Sequence, residues 1–172
     1  MTLDEGNLTF DFSGCNPIKP VFRFDSAAEN AYGLKAVDFE AETDDSLIFV
    51  EVKDFQHPNA TEKRRKADFK MLVEAATRGN ATFHMEMGQK IKDSLLRKYA
   101  QGERITKNVV YLLLLNADGF SAAERMRLKE KIGGHVPTGL NSTRFSEFTS
   151  ITFEMANIEH LKSFGITCTA KN

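Results

Sequence analysis

With 172 residues, 41% hydrophobic and 27% charged, the chain has the size and composition of one globular domain with a sizeable core. Its longest apolar runs, residues 47–50 and 109–115, are too short to span a membrane, and the acidic, mixed residues 1–10 do not read as a secretory leader. The formal net charge of -1 offers no global attraction for nucleic acid.

The distribution of charge says more than the total. Residues 63–107 hold 12 Lys+Arg against 5 Asp+Glu, and acidic flanks surround them. A basic block of this kind either meets phosphates or coats a solvated pair of helices. Cys15 and Cys168 are two and far apart, which fits a reduced, cytoplasmic protein. No Cys/His spacing of a metal site occurs, and His57, His84, His135 and His160 read as structural or surface residues.

In chain order, residues 7–12 (NLTFDF) alternate as a strand does, and Gly14, Pro17 and Pro20 then break the pattern. Residues 21–25 read as a second short strand, and residues 26–30 as a helical turn capped by Asp25 or Ser26. Residues 34–42 read as a strand. Thr43, Asp44, Asp45 and Ser46 supply turn chemistry, and residues 47–53 form the strongest strand pattern of the chain, so the two strands make an antiparallel hairpin.

Two helices follow. The first has Asn59 and Glu62 at capping-box spacing, a stripe of Phe69, Leu72, Val73 and Ala76, and Gly79 as its stop. The second spans residues 82–100, stops at Gly102, and has a wide apolar arc that predicts contact on two sides. Residues 109–116 (VVYLLLLN) read as a buried strand. Residues 121–131 read as a helix ending near Gly133 and Gly134, residues 145–155 as a strand, 157–164 as a short helix and 166–170 as a last strand. The expected fold class is α/β: a mixed β-sheet with a β-hairpin flanked by α-helices, in a single domain over residues 1–172.

Chemistry concentrates on the hairpin. In a strand, residues i and i+2 share a face, so Glu51 and Lys53 point one way while Ile48, Val50 and Val52 point the other way into the core. Asp38 lies on the neighbouring strand and can come opposite the same spot. Two carboxylates at close range repel unless a cation lies between them, and oxygen ligands with open water positions suit Mg²⁺ or Mn²⁺. The Val52 carbonyl, between the two functional side chains, is a third candidate ligand. A cation there would activate water and neutralise a phosphate, while Lys53 orients or helps deprotonate that water and stabilises the anionic transition state. Glu-x-Lys is also common on solvated strand faces, but this is the only one in the chain and it ends the strongest strand.

Asp38 followed by Glu51-Val52-Lys53 at the end of an apolar strand, with helices next, resembles the PD-(D/E)XK nuclease superfamily. Residues 33–55 (GLKAVDFEAETDDSLIFVEVKDF) carry nearly all of the likeness. The resemblance implies a restriction-endonuclease-like core, Asp38 and Glu51 as Mg²⁺ ligands, Lys53 serving the attacking water, and phosphodiester hydrolysis, with DNA as the expected substrate of an endonuclease. Val37 stands where the family name has Pro. Many members also carry a Glu on a helix before the Asp strand; here only Glu29 is available, and it reads more readily as a surface residue.

Accessory positions are less distinctive. Gln89 and Lys92 flank the Met85/Leu96 stripe of the second long helix, and Lys92 either touches a phosphate or snorkels from the apolar arc. Lys63, Arg64, Arg65 and Lys66 either bind nucleic-acid backbone or form a solvated helix start, although four cations there oppose the helix dipole. The alternatives are a catalytically silent relative that binds nucleic acid or a protein partner, and an unrelated α/β interaction protein. A homodimer or protein partner stays open, because the chain leaves little room for a separate recognition domain.

Overall fold

The computed structural model describes residues 2–24, 33–77, 81–141 and 150–171. Among them, eight strands and three α-helices build a mixed α/β fold. The central layer is a five-stranded sheet in the order β3 (Phe22–Arg23), β4 (Phe39–Glu42), β5 (Ser46–Asp54), β6 (Asn108–Asn116), β7 (Ile151–Ala156). Neighbours from β3 to β5 run antiparallel, and those from β5 to β7 run parallel. A parallel return from β5 to β6 requires a long crossover. Helices α1 (Glu62–Thr77) and α2 (Ala81–Ala100) provide it.

Both faces of this sheet are covered. On one side Leu47, Phe49, Tyr111 and Leu113 pack with Leu72 of α1, Met87 and Ile91 of α2, and Leu128 and Ile132 of α3 (Ala122–Gly133). On the other, Ile48, Val50, Leu112 and Leu114 pack against a second, three-stranded sheet. That sheet orders β1 (Thr2–Glu5), β2 (Leu8–Asp11) and β8 (Thr167–Ala170), all antiparallel. Phe10 and Phe12 meet Phe39 between the sheets, with ring centroids 5.2 and 5.6 Å apart. Of the fourteen phenylalanines, Phe10, Phe12 and Phe39 build this sheet-to-sheet core, while Phe24, Phe49, Phe83, Phe120 and Phe153 lie in the helix-side core. The unbroken apolar run of β6 follows from its place between two parallel neighbours with both faces buried.

The hairpin of β4 and β5 is as expected, closed by Thr43 and Ser46. Several other elements differ. The strand expected over residues 34–42 begins only at Phe39. Two of its amides are taken by α2 instead: Lys35 N–H donates to Asp93 Oδ2 (2.8 Å) and Val37 N–H to Ser94 Oγ (3.1 Å). Helix α1 starts at Glu62, and the side chain accepting from its first turn is Thr61, from Arg64 N–H at 3.3 Å, rather than Asn59. Strand β1, which the sequence pattern does not predict, pairs with β2, and the last strand, expected over 166–170, is found at Thr167–Ala170 on the other edge of β2. The expected strand over 145–155 is found as Ile151–Ala156, and the helix over 157–164 is a 3-10 turn at His160–Phe164. The turn expected at residues 26–30, Gly79, Phe145 and Phe148 lie outside the described residues.

Helix α2 buries a wide arc, as expected, but not through all of the expected residues. Phe83, Met87, Ile91 and Leu95 are buried, whereas Met85, Leu96 and Tyr99 are 59%, 55% and 40% exposed. Gly88 sets how closely the helix approaches its neighbour: a Cβ there would lie 2.5 Å from His135 Cβ, so any larger residue would push α2 off its seat. No helix among the described residues is long and apolar enough to cross a membrane.

Candidate functional site

The hairpin brings Asp38, Glu51 and Lys53 to one place, at the C-terminal end of β5. Asp38 occupies a bend just before β4. Its N–H donates to Val50 O (3.0 Å), its carbonyl accepts from Phe24 N–H (3.0 Å), and its Oδ2 accepts from Val52 N–H (2.6 Å). Three bonds therefore fix the backbone and one carboxylate oxygen where the β4–β5 ladder ends. In a strand, one residue's N–H and C=O point to the same side. The Val52 carbonyl thus also faces the Asp38 edge.

Glu51 points to the helix face of the sheet and is 0% exposed. Its Oε1 lies 2.9 Å from Lys53 Nζ and 2.7 Å from Lys90 Nζ. Its Oε2 is buried and has no hydrogen-bond partner among the described residues. Lys90 Nζ is also 4.0 Å from Asp38 Oδ1, so Asp38 Oδ1 and Glu51 Oε1 are separated by at most the sum of the two spacings, 6.7 Å.

The electrostatics follow from burial. Desolvation, then repulsion from Asp38, push the Glu51 carboxyl up to about 7, although Lys53 and Lys90 pull the other way. Desolvation pulls the Lys53 amine down, but Glu51 and then Asp38 and Glu86 outweigh it and hold it above the ordinary lysine range. Lys53 is therefore a resident cation at neutral pH, able to donate hydrogen bonds and stabilise an anion. A protonated amine has no lone pair with which to take a proton from water, so in this form Lys53 can orient water or stabilise an anion.

Lys90 is the residue that sequence reading missed. It lies three residues after buried Met87 and four before buried Ser94, on the flank of the buried face of α2. The helical pattern points instead to its neighbours Gln89 and Lys92, because it counts the exposed Met85 and Leu96 in the apolar arc. Lys92 is exposed on the far side of α2 and does not reach the site. Gln89 donates to Asp93 Oδ1 (2.5 Å), and so supports the residue that holds Lys35 N–H rather than the carboxylates. Ser94 accepts from Val37 N–H, next to Asp38, and donates to Lys90 O (2.8 Å), so one hydroxyl ties the Asp38 segment to the turn carrying Lys90. Glu29 lies outside the described residues.

Two openings flank the cluster. A cleft of about 220 Å³ is lined by Asp38, Glu86 and Lys90 with residues 34–37. A groove of about 700 Å³ runs past Lys53 and is lined by His57, Asn59, Thr61 and Arg64. The basic block is divided between regions. Lys90 and Arg64 reach these openings, but Lys98 pairs with Glu40 and Glu103, and Lys107 with Glu42, near the turn end of the hairpin. Lys63, Arg64, Arg65 and Lys66 are exposed on the first turns of α1, with Lys66 paired to Glu62 at 2.6 Å.

Among the described residues no group of three or more His, Cys, Asp or Glu side chains converges as a metal site. The Asp38 and Glu51 carboxylates, within 6.7 Å of each other, and the Val52 carbonyl are all hard oxygen donors, the kind a small divalent cation that keeps several waters takes, and Glu51 Oε2 is unpartnered among the described residues. Comparison of the chain with protein-family models, curated proteins and solved structures gave no match.

Proposed function

We propose that this protein is a metal-dependent phosphodiesterase acting on nucleic acid, with DNA the expected substrate and an endonuclease the expected form, built on a restriction-endonuclease-like core. The observation that carries the reading is the buried Glu51 carboxylate, one oxygen unpartnered, beside Asp38 and Lys53 at the end of a central strand. A buried carboxylate with one oxygen left unpartnered is costly, so a site of this composition is best explained by a ligand. The chain order supports the same reading: an antiparallel β3–β4–β5 unit, two helices, then β6 parallel to β5.

Asp38, Glu51 and the Val52 carbonyl would hold Mg²⁺ or Mn²⁺, which supplies charge neutralisation at a phosphate and a more acidic water. Lys53, kept charged by Glu51, donates to the phosphate oxygen on which negative charge accumulates. Water attacks phosphorus and gives up a proton to solvent, the bond to the leaving oxygen breaks, and that oxygen takes a proton from solvent. The groove past Lys53 offers Arg64 and His57 to the neighbouring backbone.

The test is cleavage of plasmid, single-stranded DNA and RNA by the full chain with Mg²⁺ or Mn²⁺, against Glu51→Gln and a chelator. Metal-dependent cleavage lost in Glu51→Gln is expected. Absence of cleavage on every substrate, together with salt-sensitive binding, would favour a catalytically silent nucleic-acid binder.

A further inference from the structure

Lys90 stands where a bridging cation would stand. Its ammonium is 2.7 Å from Glu51 Oε1 and 4.0 Å from Asp38 Oδ1. Its side chain is only 15% exposed, so the amine is held there rather than sampling solvent. With Glu51 ionised, Asp38, Glu51, Lys53 and Lys90 balance two negative charges with two positive ones. A divalent cation added to that set leaves a buried excess of positive charge, and ammonium and metal at a few ångströms repel strongly. One of the amines must move. Lys53 is tied to the strand that carries Glu51, whereas Lys90 has somewhere to go. Glu86 lies one helical turn before it, on the same cleft of about 220 Å³. Glu at i and Lys at i+4 is the favourable order for a helix pair.

We propose that Lys90 is a built-in counter-cation: it neutralises the Asp38–Glu51 pair in the metal-free protein and yields its place to a divalent metal by swinging to Glu86. This deepens the metal-site reading above and rests on it. The device keeps a buried carboxylate pair compatible with folding before metal arrives. It also makes metal affinity the difference between two cations competing for one place.

Calorimetric titration of the full chain with Mn²⁺ and Mg²⁺, without substrate, tests it. Lys90→Met is expected to bind metal about tenfold or more tightly than the parent, because the competitor is gone. In chelator the same variant melts at a lower temperature than the parent, and saturating Mn²⁺ removes that difference. Lys90→Arg, which keeps the charge, binds no more tightly than the parent. Glu86→Gln is the second variant, independent of whether Lys90→Met folds. Losing the landing site should weaken metal binding several-fold while leaving the metal-free melting temperature unchanged. Parent binding with equal or weaker affinity in Lys90→Met, or unchanged affinity in Glu86→Gln, would overturn the exchange and leave the metal site standing. No binding in the parent or any variant would remove both.

Discussion

The Val52 amide donates to Asp38 Oδ2 at 2.6 Å, a backbone-to-carboxylate bond made where the β4–β5 ladder has run out. Asp38 thus continues the hairpin with its side chain, and the residue proposed as a metal ligand also closes the strand pair. The two roles can be separated. Asp38→Asn keeps an oxygen to accept from Val52 and should fold with near-parent stability while metal affinity falls tenfold or more, on the order of the loss of one of two ligand charges. Asp38→Ala loses the acceptor too and should cost a further ~1–3 kcal/mol in urea unfolding. Equal stability of the two variants would show that the bond does not hold the hairpin.

Lys53→Ala should leave metal binding intact or slightly tighter, since it removes a positive charge next to Glu51. Cleavage should drop by about 10²-fold or more, the usual scale for losing a group that stabilises transition-state charge. Calorimetry paired with a cleavage assay reads both effects. Cleavage at the parent rate would take Lys53 out of the mechanism.

Stability of the metal-free protein should change with pH in an unusual direction. The Glu51 carboxyl is raised from its ordinary value of 4.5 to about 7. A carboxyl raised in the fold is bound to its proton more tightly than in the unfolded chain. Its stabilising contribution is complete below the unfolded value and is lost as pH rises through the folded value. Between about pH 4.5 and 7 the metal-free protein should therefore lose stability, by about 3 kcal/mol as an upper bound from Glu51 alone. Glu51→Gln should flatten that slope. Denaturation in chelator across this range checks it; identical slopes in parent and variant would assign the dependence to other groups.

Ser94→Ala should act at a distance. The hydroxyl accepts from the buried Val37 amide and donates to Lys90 O, so its loss strands an N–H beside Asp38. A cost of ~1–3 kcal/mol is expected, with weaker metal binding because Asp38 loses its brace. Ser94→Thr, which restores the hydroxyl, should recover part of both. Stability lost with metal affinity untouched would confine Ser94 to a structural role.

The candidate triad was legible because its geometry is local. A two-residue period puts Glu51 and Lys53 on one face of β5, and the polar turn of Thr43 to Ser46 folds the preceding strand back beside it. The same local rules gave β6 and α3, whose Ser121–Glu124 capping box is formed. They failed at residues 34–37, where side chains of α2 take the amides a strand would have used. They missed β1, which pairs locally with β2, and although residues 166–170 read as a strand they could not say that β8 would pair with β2 from the far end of the chain.

Lys90 was out of reach for a further reason. Sequence alone showed that α2 is amphipathic, but the apolar residues Met85, Leu96 and Tyr99 widened its arc and hid which side would be buried. The seat of the helix on the sheet settles that, through the close approach of Gly88 to His135 and the clamps of Asp93 and Ser94 on residues 35 and 37. So the order of residues determined which side chains share a strand face, since backbone pleating alone enforces that. Only the tertiary structure decided that Glu51 is buried and that a lysine from another element stands beside it. Burial and cross-element contact depend on how layers pack, and no period in the chain encodes the packing partner.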